Sequence, residues 1–476
     1  MTINLKELFK KLNNIHDTMK SSIAFAMASA ISAGISYLTT PIFTRIMTPS
    51  DYGVVSLFLT WQSLFGIIAM FSLNYGVFNN GMMDYEDDRD RFSFSILILS
   101  NIITVILFIG LLSFKEYIVI YTGVPFSLIS VMFLVFMLQP AYNFWIARQR
   151  YELLYKKPLL ISVIIAILPA GVSILSVYYL EDKVFARIFG LELPLCMVYL
   201  FFYFLICKNA YLKINVSYIK EALLFNLPLL PHYLSVYVLS SSDRIMIANL
   251  VNNAAVGFYS IAYAISSICL LLWTAVNGSL VPYTYNKIRN NDITSLKKSV
   301  NILMITVASF CICIILIAPE IFDVVAPKAY HEGKYVIPAI VGGIFFQTQY
   351  SIYANVLYYV RKPKFVMVAS LTAALLNILL NYIFIPRFGY IAAGYTTLFC
   401  YFLQATLDYM AVKYSGYSNV YDMNTIICIS IVIIIVSILS NKLYDFCMLR
   451  YIVLSSFIFI IMWFFRGLMA RRGYCK

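Results

Sequence analysis

Arg45, Glu192, His232, Asp243, Arg244 and Asp408 are charged or titratable residues set in runs that are otherwise apolar. In hydrocarbon such groups persist only where they face protein or a watery cavity, and they mark ion and substrate pathways. A guanidinium in a wet cleft can hold phosphate. A histidine titrates near neutral pH, so it can bind an anionic group or carry a proton. A buried carboxylate can exchange a coupling ion, because burial moves its titration toward the working range. His232 and Asp243 are eleven residues apart, about three helical turns or roughly 16 Å, so they share one helix face. Plainer readings stand beside these. His232 fits a hydrogen-bonded structural histidine. Asp243, Arg244, Arg45 and Asp51 fit interfacial caps and snorkelling side chains, and Asp408 fits a residue reaching the interface. The expectation carried forward is that Arg45, His232, Asp243 and Arg244 bind or gate a substrate, with Arg45 paired to Asp243 in a closed state. Glu192 and Asp408 are the candidates for ion coupling.

Such side chains need helices to aim them. The stretch FNLPLLPHYLSVYVLSSSDRIMIANLVNNAAVGFYS (225–260) reads as a spanning helix broken near its start by Pro228 and Pro231, a short loop, and a second helix. Proline removes a backbone donor and frees a carbonyl one turn earlier, which suits a hinge or a binding site. An echo lies at SYLTTPIFTRIMTPSDYGVVSL (36–57), where Arg45-Ile46-Met47 anticipates Arg244-Ile245-Met246. In both places a glycine, Gly53 or Gly257, is expected to open the next helix, and both arginines to end the preceding one. Two similar openings suggest two similar halves, as in transporters.

Polar stripes recur in the same places of the two halves. Ser29, Ser32, Ser36 and Thr40 are followed by Ser56, Thr60 and Ser63; Ser235 joins His232 and Asp243, followed by Tyr259, Tyr263, Ser266, Thr274 and Asn277. Gln139 and Asn143 precede Arg148 and Arg150, just as Gln347, Ser351 and Asn355 precede Arg361 and Lys362. Spacings of three and four put each set on one helix face. Small polar residues so spaced also help helices pack. Their repetition in both halves favours a cavity.

The whole chain is built for a bilayer. Of 476 residues 62% are hydrophobic and 12% charged, against roughly half and a quarter in soluble domains. About fourteen apolar runs of spanning length can be placed, near 21–44, 53–78, 93–113, 125–147, 158–180, 186–207, 225–248, 256–281, 299–318, 336–358, 365–385, 390–412, 425–441 and 450–466. With a cytoplasmic N-terminus, 25 of the 35 Lys and Arg fall on the cytoplasmic side, which sets the orientation and returns the C-terminus to the cytoplasm. The net charge of +13 is therefore a topology signal spread over loops rather than a nucleic-acid surface. Before the first span, Leu5, Leu8, Phe9 and Leu12 share a helical face, with lysines elsewhere, as in an interfacial helix. Ala28-Ser29-Ala30 has a signal-cleavage pattern, but the apolar run continues to Phe43, favouring an uncleaved helix. Cysteines lie mostly in apolar runs, and Cys311-x-Cys313 lacks partners at zinc-site spacing. The acidic run Asp84 to Asp88 is expected to be a solvated loop. No metal, cofactor, nucleophile–base pair or phosphate loop is indicated.

PIFTRIMTPSDYG (41–53), NLPLLPHYLSVYVLSSSDRIMI (226–247) and NILLNYIFIPRFGYIAAGYTT (377–397), in this order and at these spans, resemble the polysaccharide exporter branch of the multidrug/oligosaccharidyl-lipid/polysaccharide (MOP) superfamily, the Wzx-type flippases. The resemblance implies an all-α, MATE-like integral membrane protein with two pseudo-symmetric six-helix bundles, 21–207 and 225–412. An interfacial helix (1–20), a cytoplasmic linker (208–224) and two appended spans with a basic tail (413–476) complete it. It implies alternating access in a bacterial cytoplasmic membrane, and a substrate in which an oligosaccharide repeat unit is linked through diphosphate to undecaprenol, for O-antigen or capsule assembly. Membrane lipids, a polymerase and chain-length machinery are the implied partners. Two other exporters of the superfamily remain open, the lipid II flippase and the cation-coupled drug exporters, although the latter usually have twelve spans. A membrane polymerase or glycosyltransferase is disfavoured, because such polymerases typically carry one large outer loop and the longest here, 319–335, is short.

Overall fold

Long runs without charge leave the backbone no partner but itself, and in a bilayer that selects helices. The computed structural model describes residues 17–74 and 76–473, apart from the side chains at 17–19, 22, 23, 232, 464, 465 and 467–473. The expected interfacial helix, with Leu5, Leu8, Phe9 and Leu12, lies outside the described residues. Among those described there are seventeen α-helices and no strand. All fourteen expected spans fall on helices of 21 residues or more. Among the described residues ten helices are long and apolar enough to cross a membrane, and Val216–Leu229 with Tyr233–Leu250 adds an eleventh as a bent pair. The expected spans that miss this measure include two whose helices carry Gln347, Gln349, Ser351 and Asn355, or Thr396, Thr397, Gln404 and Asp408.

The chain divides into two units, Met1–Tyr237 and Val238–Lys476. The first holds α1 (Asp17–Ile46), α2 (Pro49–Ala69), α3 (Gly76–Asp84), α4 (Arg89–Ser113), α5 (Lys115–Thr122), α6 (Phe126–Tyr151), α7 (Lys156–Tyr179), α8 (Lys183–Asn209), α9 (Val216–Asn226) and the start of α10 (Leu230–Leu250). Here α1 packs on α7, α7 on α8, α8 on α6, and α6 on α4. α7 and α8 meet closely at Gly190, where a Cβ would come within 2.5 Å of the Ser173 Cα.

Helix ends follow their capping chemistry rather than the glycines. α2 begins at Pro49, four residues before Gly53, because Thr48 and Asp51 form a capping box that satisfies two orphan donors reciprocally. The expectation that Gly53 opens the helix is thus corrected, and Asp51 is a cap, as its plainer reading held. The expected span 53–78 is also shorter: α2 stops at Ala69, Phe71 and Ser72 take left-handed φ values of 54° and 49°, and α3 follows. Between α9 and α10 the backbone forms a 3-10 turn at Leu227–Leu229, where Pro228 and Pro231 interrupt regular bonding.

The second unit holds the rest of α10 and α11 (Asn253–Arg289), α12 (Ile293–Val325), α13 (Ile337–Tyr359), α14 (Pro363–Phe388), α15 (Tyr390–Tyr414), α16 (Met423–Leu443) and α17 (Cys447–Gly473). α13 is its axis, packing on α15, α11, α16, α12 and α14. A glycine keeps the contact close: a Cβ at Gly342 would come within 2.7 Å of Leu398 Cδ1 of α15. α16 and α17, the two appended helices, pack on α12. α11 starts at Asn253 behind the Asn252 cap, so Gly257, like Gly53, lies four residues inside its helix. The echo between the halves survives at equal offset, although neither glycine opens a helix.

Candidate functional site

Asp243 lies within α10 and is 1% exposed. Its Oδ1 accepts from Asn381 Nδ2 at 2.7 Å. Its Oδ2 accepts from the Tyr259 hydroxyl at 2.5 Å and from Thr397 Oγ1 at 2.8 Å. The donors stand on α14, α11 and α15, so one carboxyl ties four helices together. One amide N–H and two hydroxyls converge on this side chain, and a carboxylate can accept from all three. Around this shell lie more oxygens. Asn377 Oδ1 accepts from Asn381 Nδ2 at 3.1 Å and from Ser242 Oγ at 3.3 Å. Asn377 Nδ2 donates to Thr397 Oγ1 at 2.9 Å, and Thr396 Oγ1 donates to Asn381 Oδ1. All these residues are buried.

Arg244, the next residue, behaves oppositely. Its guanidinium carbon stands 4.5 Å from the Tyr263 ring centroid and 5.9 Å from that of Tyr259. No ion pair of Arg244 occurs among the described residues. A guanidinium on aromatic faces is held by cation–π attraction while its N–H fork stays available for an anion. α10 runs six residues beyond Arg244, to Leu250, so the expectation that Arg244 ends its helix is corrected. Arg45 does stand in the last turn of α1 and donates to the Pro41 carbonyl at 2.7 Å. His232 lies on α10, with its side chain outside the described residues.

In the first unit Glu192, 3% exposed, accepts from Gln62 Nε2 at 2.9 Å. Five residues earlier on α8, Arg187 donates to Ser173 Oγ at 2.6 Å and stacks over the Phe43 ring at 3.6 Å. The sequence reading missed Arg187 because it stands at the edge of an expected span and counted as a loop charge. Its nearness to Glu192 in sequence, with both on one apolar helix, was the available signal.

The cavity candidates separate. Ser29, Ser32 and Ser36 are exposed on α1, whereas Thr40 is buried and donates to the Ser36 carbonyl at 2.8 Å. Gln139 and Asn143 are half-buried on α6, and Ser235 is buried on α10. Tyr263 is half-buried under Arg244, and Tyr259 is committed to Asp243. Ser266 is fully buried and donates to the Ala262 carbonyl of its own helix at 2.7 Å. Asn355 Nδ2 donates to Asn277 Oδ1 at 2.9 Å, joining α13 to α11. Ser351 turns back to the Gln347 carbonyl at 2.9 Å. Asp408 is fully buried on α15, five residues before Lys413.

The acidic run is not a free loop. Tyr218 of α9 donates to Asp88 at 2.9 Å, and Tyr85 donates to Glu221 of α9. The neighbouring Glu221 carboxylate, which favours a protonated phenol, pushes Tyr85 up to about 12.

Comparison with known proteins places this geometry among relatives. Residues 18–286 match the family model described as polysaccharide biosynthesis protein, and 228–383 match that described as MatE. Over 409 residues the chain is 24% identical to the probable low-salt glycan biosynthesis flippase Agl15 of Haloferax volcanii, covering 82% of each protein. Among solved structures it is similar to the lipid II flippase MurJ in an inward closed conformation, with TM-score 0.66, 16% identity, and coverage of 94% of this chain and 100% of that one. It is also similar to an inward-facing multidrug resistance MATE family transporter of the MOP superfamily, with TM-score 0.62, 12% identity, and coverage of 83% and 98%.

Proposed function

As the chain belongs to the polysaccharide biosynthesis protein family, we propose that it is a flippase moving an oligosaccharide linked through diphosphate to undecaprenol from the cytoplasmic to the outer leaflet. It acts by alternating access in the cytoplasmic membrane with both termini in the cytoplasm, and it supplies surface polysaccharide assembly.

The observation that carries this reading is the contrast between Asp243 and Arg244. One charge inside the membrane accepts three hydrogen bonds from its own unit, and its neighbour makes no ion pair within salt-bridge distance among the described residues. Charges in a membrane interior mark ion and substrate pathways. Arg244 is the group for the substrate diphosphate, since a guanidinium meets phosphate oxygens bidentately. Asp243 is the coupling carboxylate. While it is ionised its field opposes that of Arg244; once an ion or proton neutralises it, Arg244 attracts the diphosphate more strongly. Ion binding and substrate binding are thereby linked through one pair of adjacent residues.

The test uses the full-length protein in liposomes with undecaprenyl diphosphate carrying a fluorophore-labelled saccharide, read by quenching with membrane-impermeant dithionite. Arg244→Ala should abolish flipping and Arg244→Lys should weaken it, because a lysine lacks the bidentate fork. Normal rates in both variants would remove Arg244 from the mechanism.

A further inference from the structure

Asp243 and Asp408 are both carboxyls buried in the second unit, but their surroundings are opposite. Asp243 has three donors. Asp408 is 0% exposed and neither of its oxygens has a hydrogen-bond partner; one turn away Gln404, 2% exposed, has an unpartnered Oε1. Across from α15, Gln347 of α13 presents another unpartnered Oε1. A buried ionised carboxylate without donor or counter-ion is too costly to persist and takes up a proton instead. A protonated Asp408 gains a donor of its own, which an orphan acceptor such as Gln404 Oε1 needs.

The placement connects the two acids. Thr397, Tyr401, Gln404 and Asp408 occur at spacings of four, three and four, which is one face of α15. All four are buried. Thr397, at the start of the stripe, bonds Asp243. Tyr350 of α13 stacks on Tyr401 with centroids 6.1 Å apart. From Thr397 to Asp408 is about 16 Å along the helix axis. The titratable groups within electrostatic reach of Asp408 are Tyr350 and Tyr358 of α13. Among the described residues, α11, α14 and the 3-10 segments packed on α15 contribute no acid or base to it.

We propose that Asp408 is a proton-exchange site, through which the coupling carboxylate Asp243 is loaded along the buried stripe of α15. Asp408 takes one proton from water at the end of α15 that carries Lys413, and releases that same proton to the stripe. This rests on the reading of Asp243 as the coupling group and fixes the coupling ion as a proton.

The site can be tested without substrate. Purified wild-type protein in detergent is treated with dicyclohexylcarbodiimide: a protonated carboxyl in an apolar setting adds its O–H across a C=N bond of the reagent, the O-acylisourea rearranges to a stable N-acylurea, and this adduct is located by peptide mass spectrometry. Asp408 should be labelled, with labelling falling about tenfold per pH unit above its midpoint, as the protonated fraction does; sodium chloride should not protect it. No adduct at any pH, or protection by sodium, would overturn the proposal. In liposomes, Asp408→Asn should flatten the pH dependence of flipping, while Asp408→Glu should restore it; an unchanged pH profile in Asp408→Asn would equally overturn it. A wild-type protein that labels at Asp408 but flips nothing would sink the flippase reading and leave the proton site standing.

Discussion

Replacing Asp243 separates its structural from its functional duty. The carboxylate accepts three bonds from three other helices. Hydrogen bonds between membrane helices average about 0.6 kcal/mol and reach about 1.7 kcal/mol each. Asp243→Ala removes all three acceptors and should cost about 2 to 5 kcal/mol on that scale. Asp243→Asn keeps a carbonyl for Asn381, and the Tyr259 and Thr397 hydroxyls can turn to accept from the new amide. It should cost only about 1 kcal/mol, the usual net worth of a single hydrogen bond. The assay is unfolding of the purified protein in mixed micelles, run beside flipping in liposomes. The expected pattern is a nearly stable Asp243→Asn that no longer responds to an ion gradient, and an Asp243→Ala that is both unstable and inactive. Equal stability of Asp243→Ala and wild type would refute the bonding argument; gradient-driven flipping by Asp243→Asn would refute the coupling argument.

Three further predictions rest on separate features. Gly190→Ala forces a methyl to 2.5 Å from the Ser173 Cα and should destabilise by about 1–3 kcal/mol or more, as overpacking does, whereas Gly278→Ala, with nothing within 4 Å, should stabilise α11 by up to about 1 kcal/mol; micelle unfolding of both variants checks the pair. Asp422, ahead of α16, accepts from Thr425 Oγ1 at 2.7 Å and Asn301 Nδ2 at 2.9 Å, which hold its carboxyl below the usual range. A depressed folded-state value gives stability that is present above the unfolded value and lost as pH falls through the folded one, so Asp422→Asn should be less stable than wild type at pH 7 and indistinguishable in strong acid. Tyr218→Phe with Tyr85→Phe should release α9 from the acidic segment, read as faster amide exchange over 216–226 and unchanged exchange in α13.

Much of this was legible in the residues, for identifiable reasons. The expected apolar runs fall on the fourteen helices of 21 residues or more among the described residues, because the bilayer leaves the backbone no other partner. Asp243 stood out as a charge in an apolar run, but its partners did not. Asn377, Asn381, Thr396 and Thr397 lay in plain view in the third motif. Their role needed α14 and α15 to be brought beside α10, which periodicity alone cannot do. The helix starts were misread at Gly53 and Gly257 because side-chain capping by Thr48 and Asn252 decides a boundary more strongly than a glycine does. Ser266 shows the converse limit: a polar stripe read as a cavity wall can be a helix bonding to itself.

The central claim meets its most direct test in liposomes containing the protein and labelled undecaprenyl-diphosphate saccharide, with lipid II and a cationic drug assayed in parallel. The account predicts that dithionite reaches inner-leaflet label only when active protein is present, that Arg244→Ala abolishes this access, and that neither lipid II nor the drug moves at a comparable rate. Inner-leaflet label as protected as in protein-free vesicles, or faster movement of lipid II or the drug, would contradict it.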